Sequence, residues 1–153
     1  YEGFKRAKGD VVFTMDADQK VDPGYIPQLL DKLNESYDIM VAWRAERPGL
    51  GLMRRWASAL INQHTNWVTR TRLHDHACSL KAYRSNFIRD NIARPELKRF
   101  FSLWVAKYAH KVGEVRVACR YKHPQDSSFT LKDLFKLFFD LVWPFPSRDG
   151  NGK

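Results

Sequence analysis

Asp16-Ala17-Asp18 puts two carboxylates two residues apart, directly after the apolar run Val11 to Met15. Such a run reads as a short strand buried on both faces. On a strand, residues at i and i+2 point the same way. Two like charges aimed together are unfavourable unless a cation or hydrogen-bond donors lie between them. Hard cations such as Mg2+ or Mn2+ take one or two carboxylates and complete their shells with substrate phosphates and water. In open α/β sheets, ligands bind beyond the carboxyl ends of the strands. One chemistry on offer is therefore a metal–diphosphate site. The spacing fits a solvated acidic turn equally well.

Arg44 stands just past the next apolar run, Tyr37 to Trp43, on the same expected sheet edge as Asp16 and Asp18. Guanidinium groups suit phosphate because they present a planar fork of donors. The bland reading of Arg44, Arg47, Arg54 and Arg55 is a solvated basic surface.

The elements that must position these residues follow from periodicity. Tyr1 to Lys8 reads as the end of a helix. Gly24 to Ser36 reads as a helix, with Ile26, Leu29, Leu30 and Leu33 on its core face and prolines near its start. Tyr37 to Trp43 is a strand, Arg44 to Gly51 a loop and Leu52 to Thr69 a long helix. A further helix, Ser85 to Asn91, has Ser85 as its expected N-cap. Leu97 to Lys111 follows as a helix with an aromatic core face. Gly113 to Cys119 alternates as a half-buried strand, expected at a sheet edge. Thr130 to Trp143 carries a narrow polar stripe on an otherwise apolar helix, and Pro144 stops it. The β–α–β–loop–α order predicts an α/β layered fold with a mainly parallel sheet.

Gly-Asp, an apolar strand, Met-Asp-Ala-Asp, then Asp22-Pro23 and Ile26-Pro27 resembles the family 2 glycosyltransferases of GT-A fold. The similarity is to the branch that moves a sugar from a nucleotide diphosphate to a polyprenyl phosphate. Dolichol-phosphate mannose synthase and its bacterial undecaprenyl-phosphate relatives belong to that branch. Its motif usually runs Asp-Ala-Asp-Leu-Gln-Asp-Pro-Pro-Glu. The resemblance implies that Asp16 and Asp18 hold the metal. Lys20 stands where the branch has a glutamine, and a cation cannot ligate a metal, so the neighbouring Gln19 is the substitute third ligand. The family also has an arginine after the next strand, matched by Arg44, and an Arg-x-x-x-Ser pair opening the following helix, matched by Arg54 and Ser58.

A second match is Asp75-His76-Ala77-Cys78-Ser79-Leu80-Lys81-Ala82-Tyr83-Arg84, similar to the family's Asp-x-Gly-Cys, aliphatic, basic, Ala, aromatic, Arg. Ala77 replaces the glycine. The resemblance makes Asp75 the acid near the acceptor. For a hydroxyl acceptor it would be a general base. A lipid phosphate, already a dianion above about pH 6, needs none, and Asp75 would then only orient groups. Arg120 to Phe129 stands at the family's phosphate-binding loop, a degenerate match in which Arg120, Lys122 and Ser127 supply the grip. An ordinary basic loop is the alternative.

The chain has 153 residues, 44% of them hydrophobic and 28% charged, enough for one domain with a core. Residues 1–129 are expected to form the C-terminal part of a GT-A catalytic domain, incomplete at its N-terminus and inactive alone. Residues 130–146 would be an amphipathic helix at a membrane interface, and 147–153 a tail without order. Cys78 and Cys119 lack metal-ligand spacing, and free thiols in a reducing compartment are expected. No apolar run approaches the roughly 18 residues that span a bilayer. The net charge of +9 favours anionic partners. With the resemblance, those are a nucleotide diphosphate sugar, a polyprenyl phosphate and a membrane surface, and not nucleic acid. The implied cofactor is Mg2+ or Mn2+. The implied location is the cytoplasmic membrane face, reached peripherally or through transmembrane helices elsewhere in a longer chain. Two alternatives stand: a family 2 transferase acting on a saccharide hydroxyl with Asp75 as base, and a non-catalytic basic module that binds lipid or nucleic acid.

Overall fold

The apolar run before Arg44 becomes the most deeply covered strand of the molecule, with Ile39, Met40, Val41 and Ala42 each at most 1% exposed. The computed structural model describes residues 1–17, 21–46, 52–94, 97 and 101–119, and of residue 54 only the backbone. In chain order they form α1 (Glu2–Arg6), β1 (Val11–Thr14), a 3-10 turn (Pro23–Tyr25) running into α2 (Ile26–Asn34), β2 (Ile39–Arg44) and α3 (Leu52–Thr69). Then come β3 (Lys81–Arg84), α4 (Ser85–Asn91), α5 (Phe101–Trp104) with a 3-10 turn (Val105–Tyr108), and β4 (Val112–Val117). The expected helix at 130–143 and the tail lie outside the described residues.

The strand order is β1-β3-β2-β4. β3 is antiparallel to both neighbours, whereas β2 and β4 are parallel. Three strands therefore run one way and β3 runs back between them. The sheet is mixed where a mainly parallel one was expected. The cause lies in the segment before β3: Asp75 is tied to Arg44 at the carboxyl end of β2, so β3 starts at that edge and must run away from it.

β1 is half-buried along its whole length, not buried on both faces as its composition suggested. It has β3 as its one partner in the described sheet. β4 is the other end strand, with Val115 and Val117 buried and Arg116 exposed, as the alternation predicts. Leu29 and Leu33 of α2 are fully buried among the sheet residues Ile39, Ala82 and Tyr83.

Helix ends differ from expectation for identifiable reasons. The helix expected over Gly24 to Ser36 begins as the 3-10 turn, where the Asp22 carboxylate accepts from Gly24 N–H at 2.9 Å, and its α-helical part ends at Asn34. Beyond it Ser36 takes φ 73°. At the helix end Lys32 O accepts from Glu35 N–H and Leu33 O from both Tyr37 N–H and Arg84 Nη2, while Arg84 Nε donates to Tyr37 O just beyond, both arginine bonds at 2.8 Å. Ser85 is not an N-cap: Arg84 holds that position, and the Ser85 hydroxyl donates instead to Gly9 O. The described part of the helix expected over Leu97 to Lys111 is shorter, passing from α5 into a 3-10 turn and then extended backbone at Ala109. Its Phe101 and Trp104 are buried as expected.

At the start of β4 the backbone of Gly113 passes close over β2. A Cβ there would lie 2.7 Å from both Met40 Sδ and Tyr37 Cε1. Gly113→Ala is expected to destabilise the fold by about 1–3 kcal/mol through overpacking. A lowered urea midpoint at unchanged slope checks it.

Candidate active site

The carboxyl ends of β1, β2 and β4 and the start of β3 share one edge, since Thr14 and Val41 both register on Lys81, and Val41 on Glu114. Asp16 stands just beyond β1 on this edge and is exposed. Its backbone N–H donates to Ser79 Oγ at 3.2 Å, while Thr14 Oγ1 donates to Ser79 O at 2.7 Å. The acidic turn is thus stitched to the segment that carries Asp75.

Asp75 is buried, and Arg44 meets it as a two-pronged ion pair. Nε donates to Oδ2 at 2.7 Å and Nη2 to Oδ1 at 3.0 Å, with side chains 12% and 1% exposed for Arg44 and Asp75. The guanidinium fork read from the sequence as a phosphate grip is engaged here by a carboxylate. The same geometry ties up the two oxygens that a general base would use.

Glu114 of β4 holds the backbone beside them. Its Oε1 accepts from His74 N–H at 2.6 Å and from Asp75 N–H at 3.2 Å, and its Oε2 meets His74 Nδ1 at 2.7 Å. Trp43 stacks on the His74 ring at 4.2 Å. Sequence reading missed Glu114, because a lone acid on an end strand gives little signal.

Behind the edge, α3 supplies a polar clamp. Asn66 donates to Leu73 O at 2.8 Å and accepts from Leu73 N–H at 2.9 Å. Asn62 donates to Leu73 O at 2.7 Å and accepts from His76 N–H at 2.9 Å. The two backbone groups of Leu73 fix which Asn66 atom is oxygen. His76 Nε2, 2.8 Å from that oxygen, must therefore carry the proton. Two asparagines four apart inside a helix, where their propensity is poor, were the available signal. Burial, with the Lys81 charge adding to it, pushes His76 from 6.5 down to about 4. Burial also brings Lys81 from 10.5 down to about 8, and its ammonium donates to His76 O and Ser102 O at 2.9 and 2.8 Å. Cys78 is a buried free thiol, pushed up by burial.

The edge therefore gathers Asp16, Arg44 and Asp75. Ser58 is half-buried on α3, one turn after Arg54, whose side chain is outside the described residues. Asp18, Gln19, Arg120, Lys122 and Ser127 lie outside them too. Among the described residues no group of three or more His, Cys, Asp and Glu is placed to hold a metal ion. The donor present, Asp16, is a hard oxygen ligand that forms no ion pair among the described residues. That suits a cation taking most of its ligands from phosphate and water.

The family model described as "Glycosyl transferase family 2" matches residues 1–92, which include Asp16, Arg44 and Asp75. An undecaprenyl-phosphate 4-deoxy-4-formamido-L-arabinose transferase of Pseudomonas aeruginosa is 34% identical over 140 residues, covering 92% of this chain and 41% of the relative. Proteins of the same name from Pseudomonas syringae and Aeromonas hydrophila are 33% and 32% identical over 140 residues, 92% of this chain, covering 41% and 43% of their own lengths. The chain thus spans about two fifths of the length of these curated relatives.

Arg44→Met leaves Asp75 buried without its partner and is expected to cost about 3–5 kcal/mol, most of it recovered in Arg44→Met/Asp75→Leu. Urea unfolding of the two single variants and the double variant measures this. For His76, the folded value lies below the unfolded one. Its contribution is therefore complete above pH 6.5 and is lost as pH falls from 6.5 towards 4. At about 1.4 kcal/mol per unit, the stability advantage of wild type over His76→Gln should shrink by about 3 kcal/mol across that window and stay flat above it.

Proposed function

The chain belongs to glycosyl transferase family 2, and from that membership we propose that it forms part of a transferase moving a sugar from a nucleotide diphosphate sugar to a polyprenyl phosphate. Its α/β layers with a mixed sheet are those of the GT-A fold. The observation that carries the reading is the edge itself. The turn bearing Asp16 is bonded to Ser79, four residues after an Asp75 that is locked to Arg44. The names of the relatives, undecaprenyl-phosphate transferases, support the acceptor class.

In this reaction a phosphate oxygen of the acceptor attacks the anomeric carbon of the donor sugar. The bond from that carbon to the diphosphate breaks, and the nucleoside diphosphate leaves with the electron pair. The acceptor phosphate is a dianion above about pH 6, so no residue has to remove a proton from it. That agrees with an Asp75 whose oxygens are engaged by Arg44. Asp75 then works by fixing the loop beside the acceptor, and Arg44 by fixing Asp75. Asp16, with Asp18 and Gln19, would hold Mg2+ or Mn2+. The charge of that cation, when bound, offsets the charge developing on the leaving diphosphate. Arg54, Ser58, Arg120, Lys122 and Ser127 are the proposed phosphate contacts, which would hold acceptor and donor in line. The polyprenyl tail keeps the reaction at a membrane surface, and the cytoplasmic face is the proposed side.

In the transferase carrying this chain, Asp16→Asn and Asp18→Asn should each abolish transfer without unfolding the protein, and chelator should do the same to wild type. Undiminished activity in excess chelator removes the metal from the mechanism. Asp75→Asn, checked to be folded, should lower the rate to a phosphate acceptor by about tenfold or less. A general base would be worth about 100- to 10,000-fold, so a loss of that size would favour a hydroxyl acceptor.

A further inference from the structure

Neither His74 nor Glu114 has a part in the chemistry above, yet the two are built as a unit. Glu114 Oε1 accepts from the backbone N–H groups of His74 and Asp75. Its Oε2 lies 2.7 Å from His74 Nδ1. An ionised carboxylate only accepts, so Nδ1 carries the ring proton. That is the reverse of His76, whose proton is on Nε2. Trp43 stacks on the His74 ring at 4.2 Å and 21°, which fixes the ring plane as well. Across the ring, Nε2 has no hydrogen-bond partner among the described residues. The His74 side chain is 62% exposed, against 13% for Glu114. A fastener for the loop would need only the two backbone bonds to Oε1. The second oxygen and the indole do something further: they aim an imidazole outward in one tautomer.

Its place on the edge narrows the ligand. At about 4.8 Å per strand, β2 and β4 lie about 10 and 14 Å from β1. His74 stands over Trp43 of β2 and Glu114 of β4, towards the far side of the edge from the turn bearing Asp16. In an in-line transfer the acceptor phosphate lies across the anomeric carbon from the diphosphate. A diphosphate at the Asp16 turn therefore leaves the β2–β4 side to the acceptor.

The chemistry of Nε2 fits that partner. Imidazoles and phosphate monoesters as classes exchange their last proton in the same range, around pH 6. One proton between them makes a hydrogen bond whichever of the two carries it. An imidazole held by a carboxylate also suits a metal ion. However, no group of three or more His, Cys, Asp and Glu is placed for one among the described residues.

We propose that His74 is a catalytic residue on the acceptor side, its Nε2 sharing one proton with a non-attacking oxygen of the acceptor phosphate, and that Glu114 is the positioning residue that sets its tautomer. This rests on the reading that the acceptor is a phosphate. When the phosphate arrives as a monoanion, its O–H bond breaks and the Nε2–H bond forms. The electron pair stays on the phosphate, which becomes the attacking dianion. When it arrives as a dianion, the protonated ring donates to it. The Glu114 carboxylate offsets the charge on the ring. The other charged groups around Trp43 and His74 are the Arg44–Asp75 pair and Arg116, which is 6.0 Å from the Trp43 ring centre and paired with Glu46 at 3.0 Å.

Two experiments test this. In the chain labelled with 15N-histidine, a short, water-soluble prenyl phosphate should shift the His74 Nε2 resonance, with chelator present. Glu114→Gln keeps an oxygen for the two backbone N–H groups and turns its amide nitrogen to Nδ1, so the neutral His74 ring should reverse to the Nε2–H tautomer. In the transferase carrying this chain, His74→Gln should raise KM for the prenyl phosphate by about 10- to 100-fold and leave KM for the donor unchanged. If Glu114 acts through His74, His74→Gln/Glu114→Gln should have the same acceptor KM as His74→Gln alone. The proposal is overturned if the Nε2 resonance stays still, if it responds only with divalent metal, or if a nucleoside diphosphate moves it instead. It is also overturned if His74→Gln leaves the acceptor KM unchanged or raises both KM values alike. A wild type whose Nε2 responds to prenyl phosphate but which attaches no sugar to it would sink the transferase reading and leave the phosphate contact standing.

Discussion

The ion pair between Arg44 and Asp75 is the constraint on which the rest depends. Two charges are taken almost wholly out of water and must meet in good geometry to offset the lost hydration. They do so with both carboxylate oxygens engaged. The pair joins the end of β2 to a segment some thirty positions later, of otherwise irregular backbone. That joint puts the segment before β3 at the carboxyl end of β2, the edge from which β3 starts and on which Ser79 meets the turn bearing Asp16.

The pair does not act alone. Glu114 fixes the backbone on one side and the α3 asparagines fix it on the other. Neutral His76 closes the network, and the buried Lys81 ties the segment to the backbone near α5. A satisfied polar network of this kind is rigid, and leaving one member unpaired is costly. It also explains why α3 turns its threonines and asparagines inward. The helix is bound to the domain through these hydrogen bonds together with Ile61 and Val68, which pack against the core.

Much of this was legible in the residues. The strand before Asp16, Leu29 and Leu33 of α2, the full length of α3 and the end-strand alternation at Val115 and Val117 follow from periodicity and composition, whereas Leu30, expected on the same core face, is half-buried. The family was legible in two motif groups, and its model matches residues 1–92. What failed depends on distant partners. β1 looked like a doubly covered strand because composition cannot say how many neighbours a strand has. Ser85 looked like a cap because its competing acceptor, Gly9 O, is far away in sequence. The reversal of β3 depends on a pairing between Arg44 and Asp75 that no local pattern encodes. The exposure of Trp56, Leu60 and Trp67 on α3 was not legible, because whether a residue of a long helix is covered depends on elements distant in sequence.

Product analysis tests the central claim most directly. The transferase carrying this chain would be incubated with candidate nucleotide diphosphate sugars and undecaprenyl phosphate, and the lipid and aqueous phases analysed by mass spectrometry. The account predicts a polyprenyl phosphate bearing a single sugar, formed in equal amount to free nucleoside diphosphate and absent when Asp16 is replaced by Asn. Sugar attached to a hydroxyl acceptor instead, or nucleoside diphosphate released with no lipid product, would contradict it.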